Sequence, residues 1–465
     1  MSETAPAEPA FAEPGAAARP LHLVRAEDAA AFRAGLDPVA AAWAAGNGWA
    51  ARAGDLLLLP DAGGAVAGAA LGLGDASARG RGRFAAAAAH ARLPAGAWAI
   101  AHPLPPDEAE EAALAALLAQ YRFTRYRAGS APAARLVPPP GTDPARLAAI
   151  AAGEFLTRDL INTPAADMGP AELEGAARAL AAQFGASVTT VTGDALLAAN
   201  LPMIHAVGRA SPRAPRLIDM TWGGEGPALT LVGKGVCFDT GGLDLKPSSS
   251  MLLMKKDMGG AATVLGLARM IMATGARLRL RVLIPAVENA VAGNAFRPRD
   301  ILRARSGLTV EVNNTDAEGR LILADALSLA VETPPDLLVS MATLTGAARV
   351  AVGPDLAPFF TDDDAAAAAL AAAAARVRDP VWRLPFHAPY EKDIEPGIAD
   401  LDNAPSGGMA GAITAALFLR RFAAGARYIH FDIYGHQPAE APGRPKGGVG
   451  QGARALFDAL PALLP

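Results

Sequence analysis

The stretch "ALTLVGKGVCFDTGGLDLKPSSSMLLMKKDMGGAATVLGLARMIMATG", residues 228–275, opens on a run of apolar and β-branched residues and closes on a glycine-started, apolar helical pattern. Between them lies a polar loop bearing Lys234, Asp239, Lys246 and Asp257, framed by glycine pairs at 241–242 and 259–260. A strand that runs through a loop into a helix is the repeating unit of a parallel sheet. The same alternation continues outward. "RLRLRVLIPAV" (277–287), "LTVEV" (308–312), "DLLVSMA" (336–342) and "ARYIHFDIYG" (426–435) read as strands, with "GRLILADALSLAVE" (319–332) and "GAITAALFLRRFAAG" (411–425) as helices between them. The pattern predicts an α/β fold with a mixed, largely parallel sheet flanked by helices, whose chemistry sits in loops beyond the carboxyl ends of the strands.

Upstream the organisation changes. "AGSAPAARLVPPPGTDPA" (128–145) reads as a linker, because three consecutive prolines and small residues interrupt two periodic regions. Before it, short apolar runs alternate with alanine-rich helical stretches, which predicts a smaller α/β amino-terminal domain over 21–127. The remainder, 146–465, is the predicted catalytic domain. Residues 1–20, acidic and rich in alanine and proline, read as a disordered leader that lacks the basic start and apolar stretch of a secretory signal. The glycines of "DAGGAVAGAALGLGDASARGRG" (61–82) lack the strand–glycine–helix frame of a nucleotide loop.

Composition excludes several function classes. A chain of 465 residues with 52% hydrophobic and only 19% charged residues is globular and long enough for two cores. A formal net charge of −4 makes nucleic acid an unlikely partner and gives no attraction to an acidic membrane surface. The single cysteine, Cys237, rules out an internal disulfide framework and reads as a small core residue. No apolar run reaches the ~20 residues a bilayer needs, so a cytoplasmic protein is expected.

A second polar cluster follows "LTVEV": Asp316, Glu318 and Arg320. If "TDAEGR" (315–320) is extended, these three side chains point to one side. Carboxylates gathered in a partly dry cleft must be balanced by cations. None of the seven histidines lies in either cluster, so oxygen-rich coordination of magnesium, manganese or zinc is expected rather than a histidine-based zinc site. Two ions sharing Asp239 and Glu318 would suit hydrolysis by a metal-activated water. Each residue has a plainer role open to it: Asp257 as a helix cap, Asp316 as a turn former, Lys255 and Lys256 as solvated or structural lysines.

"VGKGVCFDTGGLDLKPSSSMLLMKKDMGGAA" (232–262) and "NNTDAEGRLILADALS" (313–328) resemble the two signature segments of the leucine aminopeptidase, or cytosol aminopeptidase, family. "TRDLINTPAADMGP" (157–170), "ENAVAGNAFRPRDI" (288–301) and "ATLTGAARVAVG" (342–353) extend the likeness. The resemblance implies a two-metal leucyl aminopeptidase acting on peptides with a free amino terminus. It assigns Lys234, Asp239, Asp257 and Glu318 to the tighter ion and Asp239, Asp316 and Glu318 to the more exchangeable one, the pair being manganese or zinc, or magnesium or cobalt. Lys246 and Arg320 match the catalytic cations, Arg320 as the holder of a bicarbonate ion. Met254, Asn314, Thr343, Leu344 and Gly346 match the substrate-binding positions, and that pocket is expected to disfavour acidic side chains for want of a partner. A homohexamer is implied. The chain departs from the family pattern at Arg299, where glycine is usual, at Asp244, where a small polar residue is common, and in the closing "FDIYGHQP". Another two-metal hydrolase, or a non-catalytic DNA-contacting role, is the alternative reading.

Overall fold

The computed structural model describes residues 8–465. They divide into two compact units: residues up to Ala152 with Ala439–Lys446, and Gly153–Pro438 with Gly447–Pro465.

The first unit carries a five-stranded sheet in the order Leu56–Pro60, Val66–Gly74, Ala18–Arg25, Gly96–Ile100, Ala134–Leu136. The glycine-rich stretch at 61–82 comprises a hairpin turn, the strand Val66–Gly74 and a short helix, Ala76–Arg81, so a strand does pass through glycine into a helix there, contrary to the sequence reading. The Asp61 carboxylate accepts from the N–H groups of Gly63 and Ala65 and so closes the turn between the first two strands. Helix Pro106–Leu118 buries its alanines and leucines.

Two boundaries differ from the sequence reading. Residues 1–7 of the expected leader lie outside the described residues, but residues 8–20 are not disordered. The Ala12 N–H donates to the Leu136 carbonyl, Ala10 exchanges hydrogen bonds with the Gln120 amide, and a strand begins at Ala18. The expected linker also contributes structure. Ala134–Leu136 pairs in parallel with Gly96–Ile100, and a helix starts at Pro144, so the prolines punctuate a strand–helix junction.

In the second unit four parallel strands form the sheet's centre in the order Tyr428–Asp432, Leu337–Ala342, Ala228–Gly233, Arg279–Asn289. Antiparallel neighbours extend it on both sides: Ala357–Phe360 beside Tyr428–Asp432, and Arg216–Trp222 beside Arg279–Asn289. All residues of Leu337–Ala342 and Tyr428–Asp432 are buried, as strands covered on both faces must be. Helix Gly259–Ala273 packs on this sheet so closely that a Cβ at Gly260 would stand 2.1 Å from the Met341 carbonyl oxygen. "LTVEV" departs from expectation. Its residues Thr309–Glu311 join a separate three-stranded sheet between Ile301–Arg303 and Leu401–Asp402. Arg299, at the usual glycine position, holds φ +74°, the left-handed region where glycine is least strained, and its guanidinium pairs with Glu311. Among the described residues no helix is long and apolar enough to cross a membrane.

Candidate metal centre

Lys234 directly follows strand Ala228–Gly233, and the short strand Gly235–Asp239 that comes next ends at Asp239. Both residues therefore emerge at carboxyl ends of parallel strands, where side chains converge on one crevice. The chain then turns through Gly241 and Gly242 to Lys246 and enters a short 3₁₀ helix, Met254–Met258, that carries Asp257. The Asp316 turn and the helix Glu318–Val331 close the other side.

"TDAEGR" is not extended. The Asn314 Oδ1 accepts from the Asp316 N–H to form a turn, and Glu318 already begins the helix. Residues two apart on a helix diverge by roughly 200°. Glu318 faces Lys234 while Arg320 points elsewhere, its Nη1 donating to the Asn403 carbonyl at 2.5 Å. Gly319 between them is required by space, since a Cβ there would stand 2.4 Å from Lys234 Cε.

Six charged side chains meet. Lys234 Nζ lies 2.8 Å from Asp257 Oδ2 and 3.0 Å from Glu318 Oε1, and donates to the Thr343 carbonyl at 2.9 Å. Lys246 Nζ lies 2.8 Å from Asp239 Oδ2 and also pairs with Asp316. Oxygens of Asp239, Asp316 and Glu318 fall within 4.8 Å of one another. Four carboxylates thus face two ammonium groups, an excess of two formal negative charges. The environment registers that excess. Burial first, and then the neighbouring Asp239, push the Glu318 carboxyl up to about 8 and that of Asp316 up to about 6. Burial opposes charge on Lys234 too, but Asp257, Glu318 and Asp239 outweigh it and hold the ammonium above the usual lysine range.

Buried oxygens are left without hydrogen bonds: Asp257 Oδ2, Asp316 Oδ1 and Glu318 Oε1. Each is ion-paired with a lysine nitrogen instead, Asp257 and Glu318 with Lys234 and Asp316 with Lys246. Orphaned, buried carboxylate oxygens in an all-oxygen set with one amine fit hard or borderline divalent cations.

The surrounding residues hold this geometry, and sequence reasoning missed them. Asn289, at the end of strand Arg279–Asn289, donates from Nδ2 to Asp239 Oδ1 at 2.9 Å and to the Thr315 carbonyl at 3.0 Å. Asn403 clasps the Asn313–Ala317 turn from both ends of its amide. Asp244 ties the two signature loops, accepting from the Thr315 N–H at 2.7 Å. Asn289 sits at the end of an apolar run, a weak signal, and Asp244 stands out only as a departure from the family pattern.

Two of the substrate-position residues lie beside Asp257. Met254 shares its 3₁₀ helix, and Thr343 Oγ1 donates to Asp257 Oδ1 at 2.8 Å. The N–H groups of Leu344 and Thr345 donate to buried Asp432, which sets the start of helix Gly346–Val352. A Cβ at Gly346 would meet nothing within 4 Å, and this helix start is exposed. Asn314 is exposed. Cys237 is buried, as read from the sequence. Lys255 is structural, donating to the Asn162 carbonyl at 2.5 Å. Lys256 is not solvated: it is buried, and desolvation pushes its ammonium down to about 8.

Comparison with known proteins places this geometry. A model described as the cytosol aminopeptidase family, catalytic domain, matches residues 155–457, and one described as the M17 aminopeptidase, N-terminal domain, matches residues 19–139. A probable cytosol aminopeptidase 1 of Shewanella oneidensis is 41% identical over 313 residues, 66% of this chain and 62% of that relative, so the chain spans less than two thirds of the relative's length. The crystal structure of the cytosol aminopeptidase from Coxiella burnetii superposes with a TM-score of 0.92 at 42% identity, covering 97% of this chain and 99% of that one. A bottromycin maturation enzyme in complex with Mn superposes with a TM-score of 0.86 at 33% identity, covering 97% of this chain and 100% of that one. Since the catalytic-domain match runs through both loops that meet at the carboxylate cluster, the chain belongs to the cytosol aminopeptidase family.

Proposed function

We propose that this protein is a metal-dependent aminopeptidase that hydrolyses the first peptide bond of peptides with a free amino terminus, preferring leucine or other medium apolar residues, in cytoplasmic peptide turnover. The observation that carries the reading is the unbalanced cluster: four carboxylates, two lysines, and buried oxygens of Asp257, Asp316 and Glu318 without hydrogen bonds. Lys234, Asp239, Asp257 and Glu318 would hold one divalent ion and Asp239, Asp316 and Glu318 a second. Manganese or zinc suits the set, with magnesium and cobalt as further occupants. When bound, such a pair supplies Lewis acidity and a water acidic enough to attack at neutral pH. Serving as a neutral ligand costs Lys234 the proton that the metal-free cluster retains, so loading should release protons to the buffer.

The chain's own residues supply the rest. Lys246, whose ammonium Asp239 and Asp316 keep charged against its burial, polarises the scissile carbonyl and stabilises the oxyanion that develops on it. Arg320 is buried, gives one N–H to the Asn403 carbonyl and has no acceptor for Nε. That open donor suits a bicarbonate ion, which would move the proton in place of a side-chain base. Asp257 Oδ2 accepts from the substrate amine, while Thr343 fixes the other carboxylate oxygen. Met254, Asn314, Thr343, Leu344 and Gly346 form the pocket for the terminal side chain. The assembly proposed is a homohexamer.

The test compares leucine amide with N-acetyl-leucine amide on chelator-stripped and manganese- or zinc-loaded protein. Hydrolysis of the free amide alone, and only after loading, is expected. Internal cleavage of a blocked peptide at a comparable rate would overturn the exopeptidase reading, and a monomer by light scattering at micromolar concentration would overturn the hexamer.

A further inference from the structure

Lys256 has no carboxylate to pair with. It is 7% exposed, and among the described residues none forms an ion pair with it. Its side chain lies instead over the Tyr434 ring, Nζ 5.0 Å from the centroid, and the Arg349 guanidinium lies over the same ring, also at 5.0 Å. The nearby acids are committed. Asp257 serves Lys234 and Thr343, and Asp432 accepts from the Leu344 and Thr345 N–H groups and from the Thr345 hydroxyl at 2.6 Å. A buried ammonium without a counter-charge is costly, and a carboxylate brought against it would offset that cost.

The location says which ligand. Lys256 shares the 3₁₀ helix of Met254, and Arg349 lies one turn along the helix that starts at Gly346. Tyr434 leads into Gly435, where a Cβ would stand 3.1 Å from Thr343 Cγ2 and 3.9 Å from the Lys256 carbonyl oxygen. Two of the elements that present these positions, the 3₁₀ helix of Met254 and the helix that starts at Gly346, therefore also present the cationic pair, and Tyr434, just past strand Tyr428–Asp432, brings the ring beside Thr343. The expectation that an acidic side chain would be disfavoured here assumed that it would find no partner. Lys256 is a buried cation on the same 3₁₀ helix as Met254.

We propose that Lys256, supported by Tyr434 and Arg349, gives the pocket for the amino-terminal side chain a carboxylate-binding end, so that peptides beginning with glutamate or aspartate are substrates beside those beginning with apolar residues. This rests on the aminopeptidase reading and deepens it. Lys256 acts on side-chain selection only; the reacting atoms stay with the charged cluster.

The experiment measures kcat/KM of the metal-loaded enzyme on peptides identical except for the first residue: glutamate, aspartate, their amide counterparts, and leucine. For the better acid, the wild-type protein should prefer the acid over its neutral amide by about tenfold or more, the range of a hydrogen bond to a charged group. Lys256→Met should reduce that preference to near unity, and Arg349→Gln, at an exposed position, should reduce it partly. The proposal fails if the wild-type enzyme cleaves leucyl peptides but favours neither acid over its amide, a result that needs no variant to fold. It fails equally if the preference survives in Lys256→Met. Failure to cleave even the leucyl peptide would remove the aminopeptidase reading and this inference with it.

Discussion

Glu154, Arg158, Asp379 and Arg454 form one buried group of charges in the second unit, and Lys234, Lys246, Asp239, Asp257, Asp316 and Glu318 form another. In the first, Arg454 pairs with Glu154 and lies 3.5 Å from Asp379, and Arg158 lies 3.7 Å from Glu154. Two carboxylates face two guanidinium groups, and Asp379 also caps helix Ala453–Leu463 through the N–H groups of Arg454 and Ala455. In the second, four carboxylates face two lysines, an excess of two formal negative charges. Burial alone does not mark a functional site, since both groups are buried. Imbalance does: a balanced cluster is complete within the fold, whereas an unbalanced one is completed from outside.

If that distinction holds, removing one charge should have opposite consequences in the two places. The largest effect is expected at Glu318. Glu318→Gln should reduce leucine amide hydrolysis to background and lower metal content after dialysis, while thermal unfolding of the metal-free protein is little changed or shifts upward. Two ions still bound, with near-normal turnover, would break the assignment.

At Arg454 the expectation reverses. Arg454→Met strands Glu154 and Asp379 and should cost about 3–5 kcal/mol in urea unfolding, with metal content of the folded protein unchanged. A loss of metal without a loss of stability would erase the contrast between the two groups.

Within the unbalanced cluster, Lys246 and Lys234 should differ. Lys246→Ala should lose roughly 10²–10³ in kcat with both ions retained, because its interaction strengthens in the transition state. Metal loss in this variant would show that it shares the role proposed for Lys234.

The smallest effect sharpens the rule by adding a group buried without charge. His430 bonds Ser340 through Nδ1 at 2.8 Å and stacks on Phe360. Burial, and then the Arg320 charge, push its imidazole down to about 3. The unfolded chain takes up this proton near the ordinary value of 6.5, whereas the folded chain does not until about 3. The histidine's contribution is therefore complete above pH 6.5 and is lost as pH falls toward 3. Between pH 6.5 and 5 the loss amounts to roughly 2 kcal/mol. Comparing the pH dependence of urea midpoints in wild type and His430→Phe isolates it; parallel curves would mean that His430 protonates in the fold.

Much of this was legible in the residues. Strand-forming runs alternate with helical ones from 228 onward, and a polar loop at the end of a strand in an α/β chain points to chemistry wherever the partners lie. Lys234, Asp239, Asp257, Asp316 and Glu318 could be picked out because acids and lysines are rare between such apolar segments. "TDAEGR" misled because period-two alternation cannot be told from a turn followed by a helix over six residues. "LTVEV" misled because β propensity says that a segment pairs, not with which sheet.

Residue types and local periodicity thus decided the layered α/β architecture and the membership of the charged loops, since both depend on neighbours a few positions apart. Charge balance is a property of distances, and here it joins Lys234 to Glu318 across 84 positions of chain. No local pattern carries that. Lys255 and Lys256 are identical neighbours in the sequence, yet one reaches the Asn162 carbonyl and the other is buried over Tyr434. Only the packing of three separate segments around Thr343 settles which of two adjacent lysines has lost its water and kept no partner.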